Sequence, residues 1–230
     1  MRGRFRGDGL EPEEASDHWM MYSDLMAGLV MMFILLLAVT IVGYHQVLAS
    51  KERRINQLLG VQVSIAQSLE HSFRRSNLNI TIDPRTGTIK FASDVLFSFN
   101  SYQLSSVGKK SLEKFIPLYI SVLLSPKYRS DVSAIMVEGY TDRQGTYLYN
   151  LNLSQERASS VVNFILSPSF PSYSYARLLP QYIVAEGRSY NNLVYINGAY
   201  NASASRRVVF AFLLKDTSIL RSVQQAAGAP

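Results

Sequence analysis

Asp24 is a lone carboxylate at the lip of an uncharged apolar run, Leu25 to Tyr44 (LMAGLVMMFILLLAVTIVGY). As a helix, a run of that length reaches about 30 Å, the thickness of a bilayer's hydrocarbon core. Ionisable groups kept in such segments are costly and usually mark a path for ions or protons. A carboxylate in hydrocarbon favours its neutral form unless water or a cation reaches it, so proton arrival and departure can drive it between two states. A second reading stands beside this one. Ser23 and Asp24 are both good helix N-caps, and negative charge suits the start of a helix. Trp19, Met20, Met21 and Tyr22 carry the apolar character upstream. Trp and Tyr favour the membrane interface, which would put Asp24 about one turn inside the helix.

The second place where residue types and spacing suggest chemistry is Val137-Glu138-Gly139-Tyr140-Thr141-Asp142, followed by Tyr149-Asn150-Leu151-Asn152-Leu153-Ser154-Gln155-Glu156-Arg157-Ala158. Asn150, Ser154 and Arg157 stand at i, i+4 and i+7 and share one helix face, while Leu153, Val161, Phe164 and Ile165 supply apolar anchoring. Asp142 ends the strand before that helix. One carboxylate and one guanidinium on either side of a small pocket would suit a zwitterion, the Asp taking an ammonium and the Arg a carboxylate through its bidentate fork. The plainer alternative is an internal Asp142–Arg157 salt bridge.

These residues need elements to hold them. The chain has 230 residues, room for a membrane helix and one domain of ordinary size. Residues 1–18, rich in Gly, Arg and acids, predict a flexible tail. Residues 19–46 predict a membrane helix, longer than a signal-peptide core and preceded by Asp8, Glu11, Glu13, Glu14 and Asp17, so it reads as an uncleaved anchor. Arg2, Arg4 and Arg6 before the span balance Lys51, Arg53 and Arg54 after it, and charge alone does not orient it. Over 47–77, Leu48, Ile55, Leu58, Gln62, Ile65, Leu69 and Phe73 form a narrow stripe on a continuing helix. That stripe fits either a two-stranded coiled dimer or packing on the chain's own domain.

Residues 78–214 alternate strands and helices. Asp83-Pro84-Arg85-Thr86-Gly87 reads as a turn between strands at 78–82 and 88–91. A helix follows from Ser105 to Leu124, with Pro117 expected to kink or break it. A strand is predicted at Val132–Glu138, a polar turn at Gly139–Gly145, and a helix at Tyr147–Leu166. The last strands fall at Gln181–Ala185 and Arg207–Leu214, with a Gly-, Asn- and Tyr-rich loop, 187–205, between them. The pattern predicts an α/β sandwich, with residues 215–230 as a tail. Net charge is +6 with Lys and Arg scattered, which gives no nucleic-acid patch. There is no Cys, and His18, His45 and His71 lack ligand spacing, so no metal or cofactor is expected. No Ser/His or Cys/His constellation points to an enzyme. Glu138 and Asp142 are the one candidate acid/base pair, and Glu138 reads better as a strand-edge residue.

Gly-Tyr-Thr-Asp followed by Tyr-Asn-x-x-Leu-Ser-x-x-Arg-Ala, with Ser205-Arg206-Arg207-Val208 near the end, resembles the peptidoglycan-binding module of OmpA-like proteins over about residues 130–212. The resemblance implies that Asp142 and Arg157 bind the diaminopimelate of the peptide stem, with Tyr149, Asn150 and Leu153 shaping the site. Tyr140 stands where that family usually has His, and the loop from Gly187-Arg188-Ser189 departs from its Gly-rich pattern. Trp19-x-x-Tyr22-Ser23-Asp24-Leu25-Met26 before an apolar helix is similar to the MotB family of stator subunits, in which the Asp carries the driving protons. That likeness implies the MotB architecture: one transmembrane helix and helical linker, then an OmpA-like domain. It also implies an inner-membrane location, a cytoplasmic N-terminus and a periplasmic domain. The short tail and Ser-Asp-Leu-Met-Ala-Gly look most like the ZorB-type members found in Zorya anti-phage defence systems. By that likeness, two copies would sit inside a ring of five ZorA-like membrane subunits. A flagellar-type stator subunit and a passive wall tether are the alternatives.

Overall fold

The computed structural model describes residues 14–74, 80–98 and 100–215. Of the two expected tails, residues 1–13 and 216–230 lie outside it, as do 78 and 79 of the first expected strand. Helix α1 spans Glu14–Arg74, 61 residues without a proline. The chain divides into two units at its contact minimum, Met1–Arg54 and Ile55–Pro230.

In the first unit, α1 carries the apolar run. Leu25, Leu29, Phe33, Leu36 and Val39 are all exposed, and so are Met26, Val30, Met32, Leu35 and Val42 on other faces. A helix apolar all round has no solvated face of its own and is suited to lipid or to surrounding helices. It is long and apolar enough to cross a membrane.

The second unit is built on a five-stranded sheet. Its strands are β1 (Thr81–Ile82), β2 (Ile89–Ala92), β3 (Val132–Tyr140), β4 (Ile183–Gly187) and, last in the chain, β7 (Arg207–Leu214). They lie in the order β1-β2-β7-β3-β4, antiparallel except for the β3–β4 pair. Between them run α2 (Ser93–Leu96), α3 (Ser106–Leu123) and α4 (Tyr147–Leu166). A parallel pair needs a crossover, and α4 supplies it between β3 and β4. The segment 187–205 holds the hairpin strands β5 (Tyr195–Ile196) and β6 (Ala199–Tyr200), then α5 (Ala202–Ser205).

Strand alternation sorts side chains to two faces. Ile89, Phe91, Ile135, Val137, Phe210 and Phe212 face the helices and are buried. Phe115 of α3 sits at the centre of an aromatic cluster, 5.3 Å from Phe73 of α1, 4.9 Å from Phe91 and 4.8 Å from Phe210 between ring centroids. Glu138, Tyr140 and Arg207 occupy the other, more polar face.

Several expectations are corrected in detail. The strand at Val132 runs two residues further, to Tyr140, because Gly139 and Tyr140 continue the ladder with Val208 and Arg207. The strand expected at Gln181 begins at Ile183, after a 3-10 turn over Leu179–Gln181. Pro117 lies inside α3 without breaking it. The α1 stripe, which the sequence leaves open between a dimer and own-domain packing, has Ile65, Ala66, Leu69 and Phe73 buried within this chain at its end. Tyr128 fixes the same stretch, its hydroxyl lying 2.8 Å from Ser64 Oγ and 2.9 Å from Ser68 Oγ.

Candidate ligand pocket

Two glycines set the position of α4. A Cβ on Gly139 would lie 2.1 Å from the carbonyl oxygen of Ser154, and one on Gly187 would lie 2.6 Å from the amide of Gln155. Strands β3 and β4 therefore meet the helix backbone directly, and the face carrying Asn150, Ser154 and Arg157 is pressed against the strand ends. Ser154 Oγ accepts the Ser189 amide at 3.0 Å. The Thr146 side chain caps α4 by accepting the Tyr149 amide, and Asn150 Nδ2 donates to the Gln144 carbonyl at 2.7 Å. Gly145 makes this turn at φ +92°, a conformation that suits glycine.

The turn and the helix enclose a cavity of about 290 Å³. Asp142, Tyr149, Asn150, Leu153 and Arg157, the five residues singled out in the sequence, all line it, together with Asp94, Asn100, Thr141, Gln144, Gly145 and Arg206. Asp142 and Arg157 are not a salt bridge to each other. Asp142 Oδ2 accepts from Arg206 Nη1 at 2.7 Å, and its Oδ1 accepts the Gln144 amide at 3.0 Å. The other guanidinium nitrogen of Arg206 lies 3.9 Å from Asp94 Oδ2. Arg157, 4% exposed, donates Nε to the Ser101 carbonyl at 3.0 Å and lies over the Phe97 ring. Burial, and then the like charge of Arg206, hold its pKa below the usual arginine value. A guanidinium in that setting gains from an anion, and the negative charge of a ligand carboxylate taken by its Nη atoms would offset both causes.

Tyr149 donates its hydroxyl to Asn100 Oδ1 at 2.8 Å, joining α4 to the loop between α2 and α3. Asn100 holds the left-handed conformation at φ 52°. Sequence reasoning missed this loop and Arg206. Asp94 and Asn100 lie more than forty residues upstream with no periodic signal, whereas Arg206 stood inside the quoted Ser-Arg-Arg-Val segment and was given no role.

Glu138 does not pair with Asp142. Its Oε1 accepts from Arg188 at 2.9 Å and its Oε2 from the Tyr140 hydroxyl at 2.9 Å, and neither Glu138 nor Tyr140 lines the cavity. Burial and then the Glu138 charge push the Tyr140 phenol up to about 12. Among the described residues no group of three or more His, Cys, Asp or Glu side chains is placed to hold a metal ion. Asp24 lies well inside α1, which begins at Glu14, so it is not that helix's N-cap.

Residues 96–206 match the OmpA family. Over 202 residues the chain is 28% identical to the Zorya protein ZorB of Escherichia coli O139:H28, covering 85% of this chain and 80% of that protein. It is 27% identical over 228 residues to the Zorya protein ZorB of the Escherichia coli Crooks strain, covering 93% and 94%. Among solved structures, a MotB-like protein from Desulfovibrio vulgaris superposes with a TM-score of 0.51 at 19% identity, over 68% of this chain and 93% of that one, a likeness of fold. The chain is thus a long apolar N-terminal helix joined to an OmpA-like domain, and it resembles ZorB along most of its length.

Proposed function

We propose that this chain is a MotB-like stator subunit of the bacterial inner membrane that grips peptidoglycan and carries protons on Asp24, working in anti-phage defence. Its similarity to ZorB across both units is the observation that carries this reading. The OmpA-like domain holds the subunit to the wall, so that something in the motor does not turn. In the pocket, Arg157 takes a carboxylate of the diaminopimelate stem, and Asp142 shares its charge between Arg206 and the ligand's ammonium. Asn150 and Leu153 shape the floor, and Tyr149 with Asn100 holds the rim.

Asp24, inside the helix and beside the apolar run, exchanges protons as they move down their gradient. One charge crossing 100 mV yields about 2.3 kcal/mol, enough to shift a two-state contact with surrounding subunits appreciably. Two copies inside a five-membered ZorA-like ring, with the N-terminus cytoplasmic and residues 78–214 periplasmic, complete the arrangement.

Asp24→Asn removes the exchangeable proton at nearly constant shape. It is expected to abolish phage protection while the membrane complex still assembles; full protection would refute the proton role and leave a passive tether. Arg157→Ala should cut co-sedimentation with purified sacculi about ten-fold or more, as expected for loss of a charge-assisted bidentate contact. Unchanged sedimentation would reject the pocket as the wall site.

A further inference from the structure

The cavity is large enough for one zwitterionic side chain and too small for the sugars to which a wall peptide is attached, so the remainder of such a ligand must lie on the surface around its mouth. The β5–β6 hairpin contributes no residue to the cavity lining but is tied to the segment that does, through Arg143 beside Asp142. Its turn places Asn197 at φ 51° and Gly198 at φ 79°, the paired left-handed residues of a tight two-residue hairpin. Two short strands alone are marginal, and this pair is held at its base. The Asn201 amide donates to the Val194 carbonyl at 2.9 Å, the Val194 amide to Ser205 Oγ at 3.0 Å, and Arg207 Nη2 to the Asn192 carbonyl at 3.0 Å. The hairpin adds nothing to the core: Tyr195 is 58% and Ile196 50% exposed.

The hairpin is also joined to the pocket. Arg143 directly follows Asp142, donates its amide to the Tyr200 hydroxyl at 3.2 Å, and lays its guanidinium over the Tyr200 ring at 4.4 Å. The Tyr195 and Tyr200 rings are 6.0 Å apart, and Arg206, just beyond α5, reaches Asp142. A chain of contacts therefore runs from Asp142 in the charged pocket through Arg143 and Tyr200 to the exposed ring of Tyr195.

We infer that this hairpin is a second wall contact, in which Tyr195 stacks on an amino-sugar ring of the glycan strand whose peptide stem enters the pocket; the inference rests on the pocket reading above. The chemistry fits a sugar better than a bare apolar partner. A tyrosine face accepts the C–H side of a pyranose while its hydroxyl and the neighbouring Arg143 serve the ring hydroxyls, and a fixed aromatic loses little conformational entropy on binding.

The test compares two ligands on the full-length protein in detergent: a diaminopimelate-containing tetrapeptide, and the same peptide carried on its disaccharide. Wild type should bind the disaccharide form roughly five- to ten-fold more tightly. Tyr195→Ala should erase that advantage and leave the tetrapeptide Kd unchanged, while Tyr195→Phe, which keeps the ring face and loses only the hydroxyl, should retain most of it. Equal wild-type affinity for the two ligands, or an advantage that survives Tyr195→Ala, overturns the inference. So does a Tyr195→Ala effect confined to binding of anionic lipid vesicles, which would assign the hairpin to the membrane. A wild-type protein that binds neither peptide overturns the pocket reading, and the inference with it.

Discussion

Asp142 is a poor candidate for an idle counter-ion, because the groups around it make the two ends of its salt bridge unequal. Its carboxylate is largely buried, with 9% of the side chain exposed, whereas Arg206 keeps 27% and has Asp94 within reach. Arg206→Ala would strand a desolvated charge with one amide donor left, and should cost about 2 kcal/mol of domain stability. Asp142→Asn leaves Arg206 its second carboxylate and water, keeps the Gln144 bond, and should cost less. Thermal unfolding of the two variants gives the order; the reverse order would mean that Arg206, not Asp142, is the stranded partner. The same asymmetry explains what could be seen in the sequence. Asp142, Asn150 and Arg157 were legible because a strand end and an i, i+4, i+7 face bring them together locally. The true partner of Asp142 comes from sixty-four residues away through the β3–β7 ladder. No spacing rule relates those two positions.

Among the elements, α4 and β7 were found at their observed bounds, since period, flanking prolines and alternation all agree there. The hairpin within 187–205 was not, because its strands are two residues each and its signal is a single Asn-Gly pair. The closeness of α4 to β3 could not be read either: Gly139 sits in an apolar strand and looks like the start of a turn until the helix is laid on it. With a Cβ 2.1 Å from a backbone oxygen there is no rotamer to relieve, so the helix itself must move. Gly139→Ala should cost about 3 kcal/mol and also weaken sacculus binding, since α4 carries Asn150 and Arg157. Gly60→Ala, in an exposed part of α1 with nothing within 4 Å, should instead stabilise by about 0.5–1 kcal/mol. Equal melting points for these two variants would contradict the close approach.

For the whole molecule, the domain boundary is the point on which composition misleads. The change from a charged, stripe-bearing helix to alternating strands falls near residue 78, yet the core is closed by residues well before it. Ile65 and Leu69 are fully buried and Phe73 nearly so, stacked on Phe115, while Tyr128 is tied to Ser64 and Ser68. At about 1.5–3 kcal/mol for each large apolar side chain, removing these three alone takes about 5–9 kcal/mol. A domain of this size has about 5–15 kcal/mol of net stability, so from about a third to all of it would go. A fragment beginning at Ile55 should therefore unfold cooperatively and run as a discrete species on gel filtration. One beginning at residue 78 should expose Phe91, Phe115 and Phe210 and aggregate or lose its cooperative transition. Comparable melts for both fragments would show that the end of α1 is merely laid on a finished domain. If they differ as expected, the end of α1 is an integral part of the core on which α4 and the candidate pocket are built.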